Sequence, residues 1–528
     1  MTENDSHKLF HNMHYNKLFM VLMLLLCGAA KTKAENVVPH NEIHQPTAYY
    51  VDVLHGNDRA KGRSPKKAWK TLERASRQFL EAGDRLLLHR GQVFRGELEV
   101  NGKGTAAGRI LVTSYGQGAM PRVVGNDNSQ WALKINNSDY LTLRGIEIVN
   151  TGKERKAHRT GLLIECMDYG VSRNITIDSV IVRDVNGSLV KSEGGGCGIM
   201  IQNGGKTKES RFDSLIIKNC HILRCARNAI IWSGNFNRHH WAPSTNTIVR
   251  GNLIEQVPGD GIVPIGCDST LIEYNVIRDC PDMLPDTEAA AGIWPWSCDN
   301  TVIQFNDVSG HKAPWDAQGY DCDYNCRNTL IQYNYSHENY GGLVLICDDG
   351  EADSYSLGNQ NSIVRYNISI GDGIRPKTTR TGKMFSPNIH IAGPVIHTNI
   401  NHNILHSSKK PKPEMDRTMI LADSWGGYAN TTTIAHNIFY TAEPSKFDMQ
   451  HSTHNFFSAN WYLGEYGKLP QDVSPRYSSN YYQQHIVDTD PSGYIGLQRL
   501  MNERIIYGVK AYAVDASKIH SFFKAMEQ

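Results

Sequence analysis

The chain has 528 residues, a formal net charge of +2, 46 glycines and many asparagines. Near-neutral charge argues against the concentrated basic surface that nucleic-acid binding needs. Extended helical periodicity is rare, and the composition suits many short strands joined by turns, which can run long as one all-β domain.

At the N-terminus, Lys8 and Lys17 precede the apolar run 18–30, and Thr32, Lys33 and Ala34 offer a cleavage site. The pattern predicts a signal peptide over 1–34 and an exported protein, periplasmic, cell-surface or secreted. The run is too short for a membrane span and nothing comparable follows, so none is expected in the mature chain. Lipid attachment at Cys27 is an alternative, against a poor sequence context. Export would permit disulfides among the eleven cysteines. However, Cys267, Cys298, Cys322 and Cys347 recur about once per repeat, which fits free thiols stacked in a core at least as well. No pair of Cys-x-x-Cys motifs is present, which argues against structural zinc.

Residues 35–125 read as an N-terminal cap with opening strands. "YYVDV" is a strand pattern, and "SPKKAWKTLERASRQFL" places Trp69, Leu72, Ala75 and Phe79 at helical spacing. Such a helix suits the open end of a stack. Residues 126–445 then repeat. "NTIVRGNLI", "STLIEYNVI", "NTVIQFNDV", "NTLIQYNYS", "NSIVRYNIS" and "HTNINHNIL" share Asn252, Asn275, Asn306, Asn334, Asn367 and Asn403, at intervals of 23 to 36 residues. A drifting period without helices predicts an all-β, right-handed parallel β-helix, with the asparagines forming a structural ladder at one corner. Residues 446–528 are less repetitive and are expected to close the stack, with a helix near "SKIHSFFKAM".

A second strand per turn aligns on Gly261, Gly292, Gly319 and Gly342. Alternation then points Ile262, Ile293, Tyr320 and Leu343 inward, with Cys322 and Leu345. It points Trp294, Trp296, Asp321 and Asp323 outward, followed by Val344, Ile346 and Asp348. A slip of one residue would reverse a turn's assignment. Pro264 and Pro295 cannot donate to a ladder, so strands should bend or end there.

Residues i and i+2 of a strand lie about 6.6 Å apart, at the low end of the separation inverting glycosidases use for acid and base. Asp321, Asp323 and Asp348 are therefore the expected catalytic set. Trp294, Trp296, His337 and Asp349 are the expected substrate contacts, the tryptophans as sugar platforms. Calcium held by the same acids is the competing reading, and otherwise no cofactor is expected.

The stretch "YYVDVLHGND…SPKKAWKTLERA…AGDRLLLHRGQVFRGELEV" and the turns "AGIWPWSCDNTVIQFNDV" and "QGYDCDYNCRNTLIQYNYSHENYGGLVLIC" resemble the pectate-lyase-like right-handed β-helix superfamily, from Tyr49 to Tyr440. They look like its members related to glycoside hydrolase family 141. The resemblance implies hydrolysis of plant cell-wall glycans. The polygalacturonase pattern is not matched, because no Gly-His-Gly or Arg-Ile-Lys follows the acids. The expectation is an exported, monomeric glycoside hydrolase acting on a polysaccharide. The alternatives are a calcium-dependent lyase using Lys377 or Arg375 as base, and a non-catalytic glycan-binding β-helix.

Overall fold

The computed structural model describes residues 44–350, 357–379, 381–491 and 493–528. The expected signal peptide with Cys27 lies outside the described residues, as do Glu351 and Asp353, which follow Asp348 and Asp349. No helix among the described residues is long and apolar enough to cross a membrane.

Short strands coil into three parallel faces around one core. The first sheet has 14 strands, from Ala48–Val51 to Phe456–Ser458, and the second has 13, from Val93–Arg95 to Trp461–Leu463. The third face comes in two parts, a 7-stranded sheet ending at Ile262–Val263 and a 5-stranded sheet beginning at Tyr320–Cys322. Isolated bridges Ile262–Ile293 and Ile293–Tyr320 join the parts. The break falls at the turns carrying Pro264 and Pro295, where the missing N–H groups end the ladder. The all-β parallel β-helix expected from the repeats is thus the architecture.

One corner explains the repeated asparagines. Each ladder asparagine follows a residue in the left-handed region: Tyr274 (φ 57°), Phe305 (56°), Tyr333 (56°), Tyr366 (54°), His402 (53°) and His436 (56°). A left-handed non-glycine residue costs about 1 kcal/mol, and here the side chains stack to offset it. Ring centroids along this series lie 4.8 to 5.5 Å apart. Inside the same corner the amides chain together. Asn306 donates its backbone N–H and its side-chain NH₂ to Asn334 Oδ1, both at 3.0 Å, and Asn334 repeats the pattern on Asn367. The ladder continues through Asn437 to Asn460, and strands run to Leu463, past residue 445.

All ten described cysteines are buried and free. Cys298 donates its backbone N–H to Cys326 Sγ at 3.4 Å, while Cys347, expected in the core, faces the outward pocket.

At the N-terminal end the helix is shorter than its periodicity suggests. It covers only Leu72–Ser76, with Thr71 as N-cap, and Thr71 is itself pinned by Asp58. Trp69, Leu72 and Ala75 enter the core, whereas Phe79 is 53% exposed and opens a strand. At the other end, the helix Ala516–Glu527 lies along the flank. His520 stacks on Tyr366 at 4.2 Å, and Phe523 meets Tyr366 and His402 edge-on. The antiparallel hairpin Met501–Val514 runs back over the second sheet, where Arg504 bonds the Tyr274 carbonyl at 2.7 Å. This segment therefore covers the exposed aromatic corner as well as following the last turn.

Replacing Asn334 with alanine should destabilise the protein by about 3 kcal/mol in denaturant titration, because it orphans buried groups on Asn306 and the Ile303 carbonyl. Asn361→Ala, which removes an exposed amide of a neighbouring turn from a left-handed position (φ 59°), should cost only about 1 kcal/mol.

Candidate active site

The candidate site lies on the third face. Its inward side chains include Ile262, Ile293, Tyr320 and Cys322, all in the core. Val263 and Trp294 pack outside it in a separate apolar cluster, as alternation requires. Asp321 follows Trp294 on the outward side. The next turn slips by one residue. Tyr320 pairs with Val344 and Asp321 with Leu345, so Val344 and Ile346 point inward and Leu345 and Cys347 outward. The glycine alignment had Val344, Leu345 and Ile346 reversed, while Leu343 lies in the core as expected. The extra residue is absorbed at Gly342–Leu343, both of whose carbonyls bond the preceding strand.

Over this face lies a pocket of about 190 Å³, lined by Asp260, Asp316, Asp321 and Asp323 together with Lys191 and Trp294. Trp315, Trp425 and Tyr324 complete an aromatic rim, and Leu345 and Cys347 form part of the floor. Asp316 comes from a two-residue strand, Trp315–Asp316, that pairs with Ala289–Ala290. Asp321 ends up deep, 3% exposed, and Asp323 is half-buried just past the strand.

Four carboxyls in one small space do not share one protonation state. Burial, then the proximity of Asp316 and Asp323, pushes Asp321 far above the ordinary carboxylate range. Burial raises Asp323 to about 7, against hydrogen bonds from Cys347 Sγ at 3.0 Å and from the Tyr324 N–H at 2.7 Å. Burial raises Asp316 to about 6, moderated by His390, Arg375 and Lys191. Asp260 behaves oppositely. Burial works to raise it, but Arg227 and Lys191, with hydrogen bonds from Arg227 and Trp294, hold it below its ordinary value. The site thus contains a fixed anion, a neutral acid and two carboxyls that titrate near neutrality.

Two buried arginines hold the walls. Arg227 reaches Asp260 at 2.5 Å, Glu288 at 2.9 Å and the Ala289 carbonyl at 2.9 Å. Glu288 in turn accepts the Lys191 N–H at 2.9 Å, which sets the loop carrying Lys191 over the Trp294 ring. Arg375 donates to the carbonyls of Ala313, Pro314, Asp316 and Phe385. A neighbouring dyad, His390 Nε2 to Asp423 Oδ1 at 2.8 Å, is set edge-on to Phe385 and Trp425.

The structure brings together Asp321, Asp323 and Trp294. Asp348 stands apart. Its carboxylate accepts the N–H groups of Gly350 and Asn359, each at 3.2 Å, and so ties the two ends of an inserted loop. Asp349 sits beside it, with its carbonyl against Gly426. Trp296 packs against Phe236 at 4.9 Å and Tyr324 at 6.0 Å, outside the pocket lining. His337 belongs to the second sheet, where it stacks on Tyr335 at 4.3 Å and bonds Asp307 at 3.2 Å. Of the acids expected to share calcium, Asp321 and Asp323 meet in the pocket and Asp348 does not join them. Among the described residues, the one trio of ligand-type side chains within mutual reach is His402, His436 and Glu527, at the aromatic corner. Lys377 is paired with Asp282 at 2.7 Å, and every Arg375 nitrogen serves a backbone carbonyl, so neither is poised as a base.

Asp316 and Asp260 were missed because strand alternation reads only the face strand itself. Asp316 precedes that strand by three residues and Asp260 directly precedes its aligned glycine. The available signal was the acid next to an aromatic in "APWDAQG".

The right handed beta helix region family model matches residues 197–461, half of the chain. A lacto-N-biosidase of Bifidobacterium longum subsp. longum is 26% identical over 421 residues, covering 62% of this chain and 26% of that protein. The chain thus spans about a quarter of that relative's length. Two crystal structures of the GH136 lacto-N-biosidase from Eubacterium ramulus, native and selenomethionine-substituted, superpose with a TM-score of 0.57 at 22% identity. They cover 80% of this chain and 68% of that one, a likeness of fold.

A raised carboxyl keeps its proton longer in the folded state than in the unfolded one. Its contribution to stability is therefore present at low pH and is lost as pH rises from about 4 through about 7 for Asp323. Asp323→Asn should accordingly be more stable than the parent at pH 8 by at least about 1 kcal/mol, with the gap closing toward pH 4. Thermal melts across that range check the sign.

Proposed function

Since the chain belongs to the right-handed β-helix family, we propose that it is a glycoside hydrolase, with Asp316 and Asp323 as its working carboxyl pair. The observation that carries the reading is the pocket itself. Two carboxyls raised to about 6 and about 7 face one small cavity with aromatic walls. Between those values the pair holds one proton. That is the state glycoside hydrolysis needs, one group protonating the departing glycosidic oxygen while the other, ionised, meets the positive charge developing at the anomeric carbon. Water then completes the cleavage. Asp321, uncharged and deeper, lies beside the pair and accepts the Leu345 N–H at 3.4 Å. Asp260, locked as an anion by Arg227, accepts the Trp294 indole N–H at 3.0 Å and so orients the ring against which a sugar would lie.

A cavity of about 190 Å³ is below the size of a drug-like site and fits one or two sugar rings, not the open run of a long chain. That favours removal of a terminal unit. The similarity to a lacto-N-biosidase supports a lacto-N-bioside as the first substrate to test, ahead of the plant cell-wall glycans implied by the family 141 resemblance. The lyase alternative loses support because Lys377 and Arg375 are both engaged.

An aryl lacto-N-bioside, assayed for released aglycone, tests the proposal. Asp316→Asn and Asp323→Asn should each lower kcat by about 10³-fold with folding intact. Asp348→Asn should stay within about threefold, since it ties a loop outside the pocket. Full activity in either Asp316→Asn or Asp323→Asn overturns the assignment. The parent kcat should follow a bell-shaped pH profile with limbs near 6 and 7.

A further inference from the structure

A second cavity, of about 260 Å³, opens on the same outward face nearer the N-terminal end. Its floor is Leu163 and Met200, which are paired neighbours on adjacent turns. Its rim carries Trp131, Gln130, His158 and Gln202. Counting turns through Met200, Ile231, Val263 and Trp294 to Asp321 gives five steps from Leu163. At about 4.8 Å each, the two sites are about 24 Å apart.

The chemistry of this surface is ordered in two rows. Leu163, Met200 and Ile231 form an apolar row up the stack. Two residues further along the same strands, Glu165, Gln202 and Ser233 form a polar row. A sugar ring has the matching anatomy, an apolar C–H face and an edge of hydroxyls. Trp131, half-buried, lies one turn below opposite Thr160, with Lys134 Nζ 5.6 Å from its ring centroid, and presents an aromatic surface. Among the described residues, no hydrogen bond or ion pair engages the side chains of Gln130, His158 or Gln202, so their donors and acceptors face solvent. The nearest charges cancel, Lys134 meeting Glu165 at 2.9 Å. That pairing suits a neutral glycan over a uronate.

The cavity is separate from the carboxyl pocket. The loop between them packs Gly194 (φ 81°) directly against the His158 ring on one side. On the other side it delivers Lys191 to the carboxyls. A Cβ at position 194 would lie 2.4 Å from the imidazole, so this edge is closely fitted.

We propose that the Trp131 cavity is a second binding site for a neutral oligosaccharide, which holds a glycan while another terminus occupies the carboxyl pocket. The sugar class rests on the hydrolase reading, but the site uses none of the reacting groups. The test titrates Asp323→Asn protein, to prevent turnover, with lacto-N-tetraose, cellohexaose and xylohexaose by calorimetry and tryptophan fluorescence. At least one probe should show binding that Trp131→Ala weakens at least tenfold and Gln202→Ala at least threefold. In the otherwise unaltered protein, Trp131→Ala should leave turnover of the small aryl glycoside within twofold. Affinities unchanged by both substitutions, or no binding of any probe at millimolar concentration, overturn the proposal. If instead Asp323→Asn retains full turnover, the hydrolase assignment fails while the binding result still decides the second site.

Discussion

Everything in this molecule depends on the spacing of one corner. The amide ladder from Asn252 to Asn460 links each turn to the next through paired hydrogen bonds of 2.9 to 3.0 Å. Those bonds can form only if successive turns stay at the inter-strand distance and in register. The ladder therefore does more than satisfy buried amides. It forbids drift at the corner, and so lets loops of very different length leave the third face without disturbing which side chains point outward. Where register does change, at Gly342–Leu343, the change is taken up in the strand opposite and Asn367 still meets Asn334.

A rigid frame is what allows carboxyls to be crowded. Burying several acids together is costly unless they are neutralised or paired. The protein uses both solutions within one pocket. Asp260 is paired with a fully buried arginine that also grips Glu288, and Asp321 is forced to keep its proton. Asp316 and Asp323 are left between these extremes, one near each end of a narrow pH range. Removing Arg227 would leave two acids without their partner, so its role in the pocket cannot be separated from its role in holding the loop wall.

The fold was legible because its signals are periodic. Ladder asparagines and the inward Ile and Cys positions repeat often enough to be read without a structure. The proline break was legible for the same kind of reason, a local chemical rule. The site was only half legible. Asp321, Asp323 and Trp294 lie on or beside the repeating strand and line the candidate pocket. Asp316, Asp260, Lys191 and Arg227 come from insertions or strand flanks, where no period applies and position depends on what the loop meets. Asp348 shows the opposite failure. Its pattern looked continuous, but the extra residue after Gly342 turned it toward the loop neck. His337 was placed by proximity in sequence, although it belongs to a different face.

Asp316 illustrates how an insertion brings a carboxyl into the candidate pocket. It and Ala317 both occupy the left-handed region, at φ 58° and 66°, where an alanine gains nothing from its side chain. Such strain persists only when the surroundings over-determine it. Here the Ala317 N–H bonds the Ala290 carbonyl at 2.8 Å, its carbonyl accepts the Gly341 N–H at 3.0 Å, and Arg375 grips the Asp316 carbonyl at 2.6 Å. The backbone alone thus aims the carboxyl into the pocket, and no side-chain hydrogen bond among the described residues is spent on holding it. A carboxyl positioned in this way keeps all of its hydrogen-bonding capacity for whatever enters. Asp323, by contrast, commits one oxygen to Tyr324 and Cys347 and offers the other. The two acids are therefore unequal by construction: His390, Arg375 and Lys191 moderate Asp316 to about 6, whereas the hydrogen bonds from Cys347 and Tyr324 moderate Asp323 only to about 7.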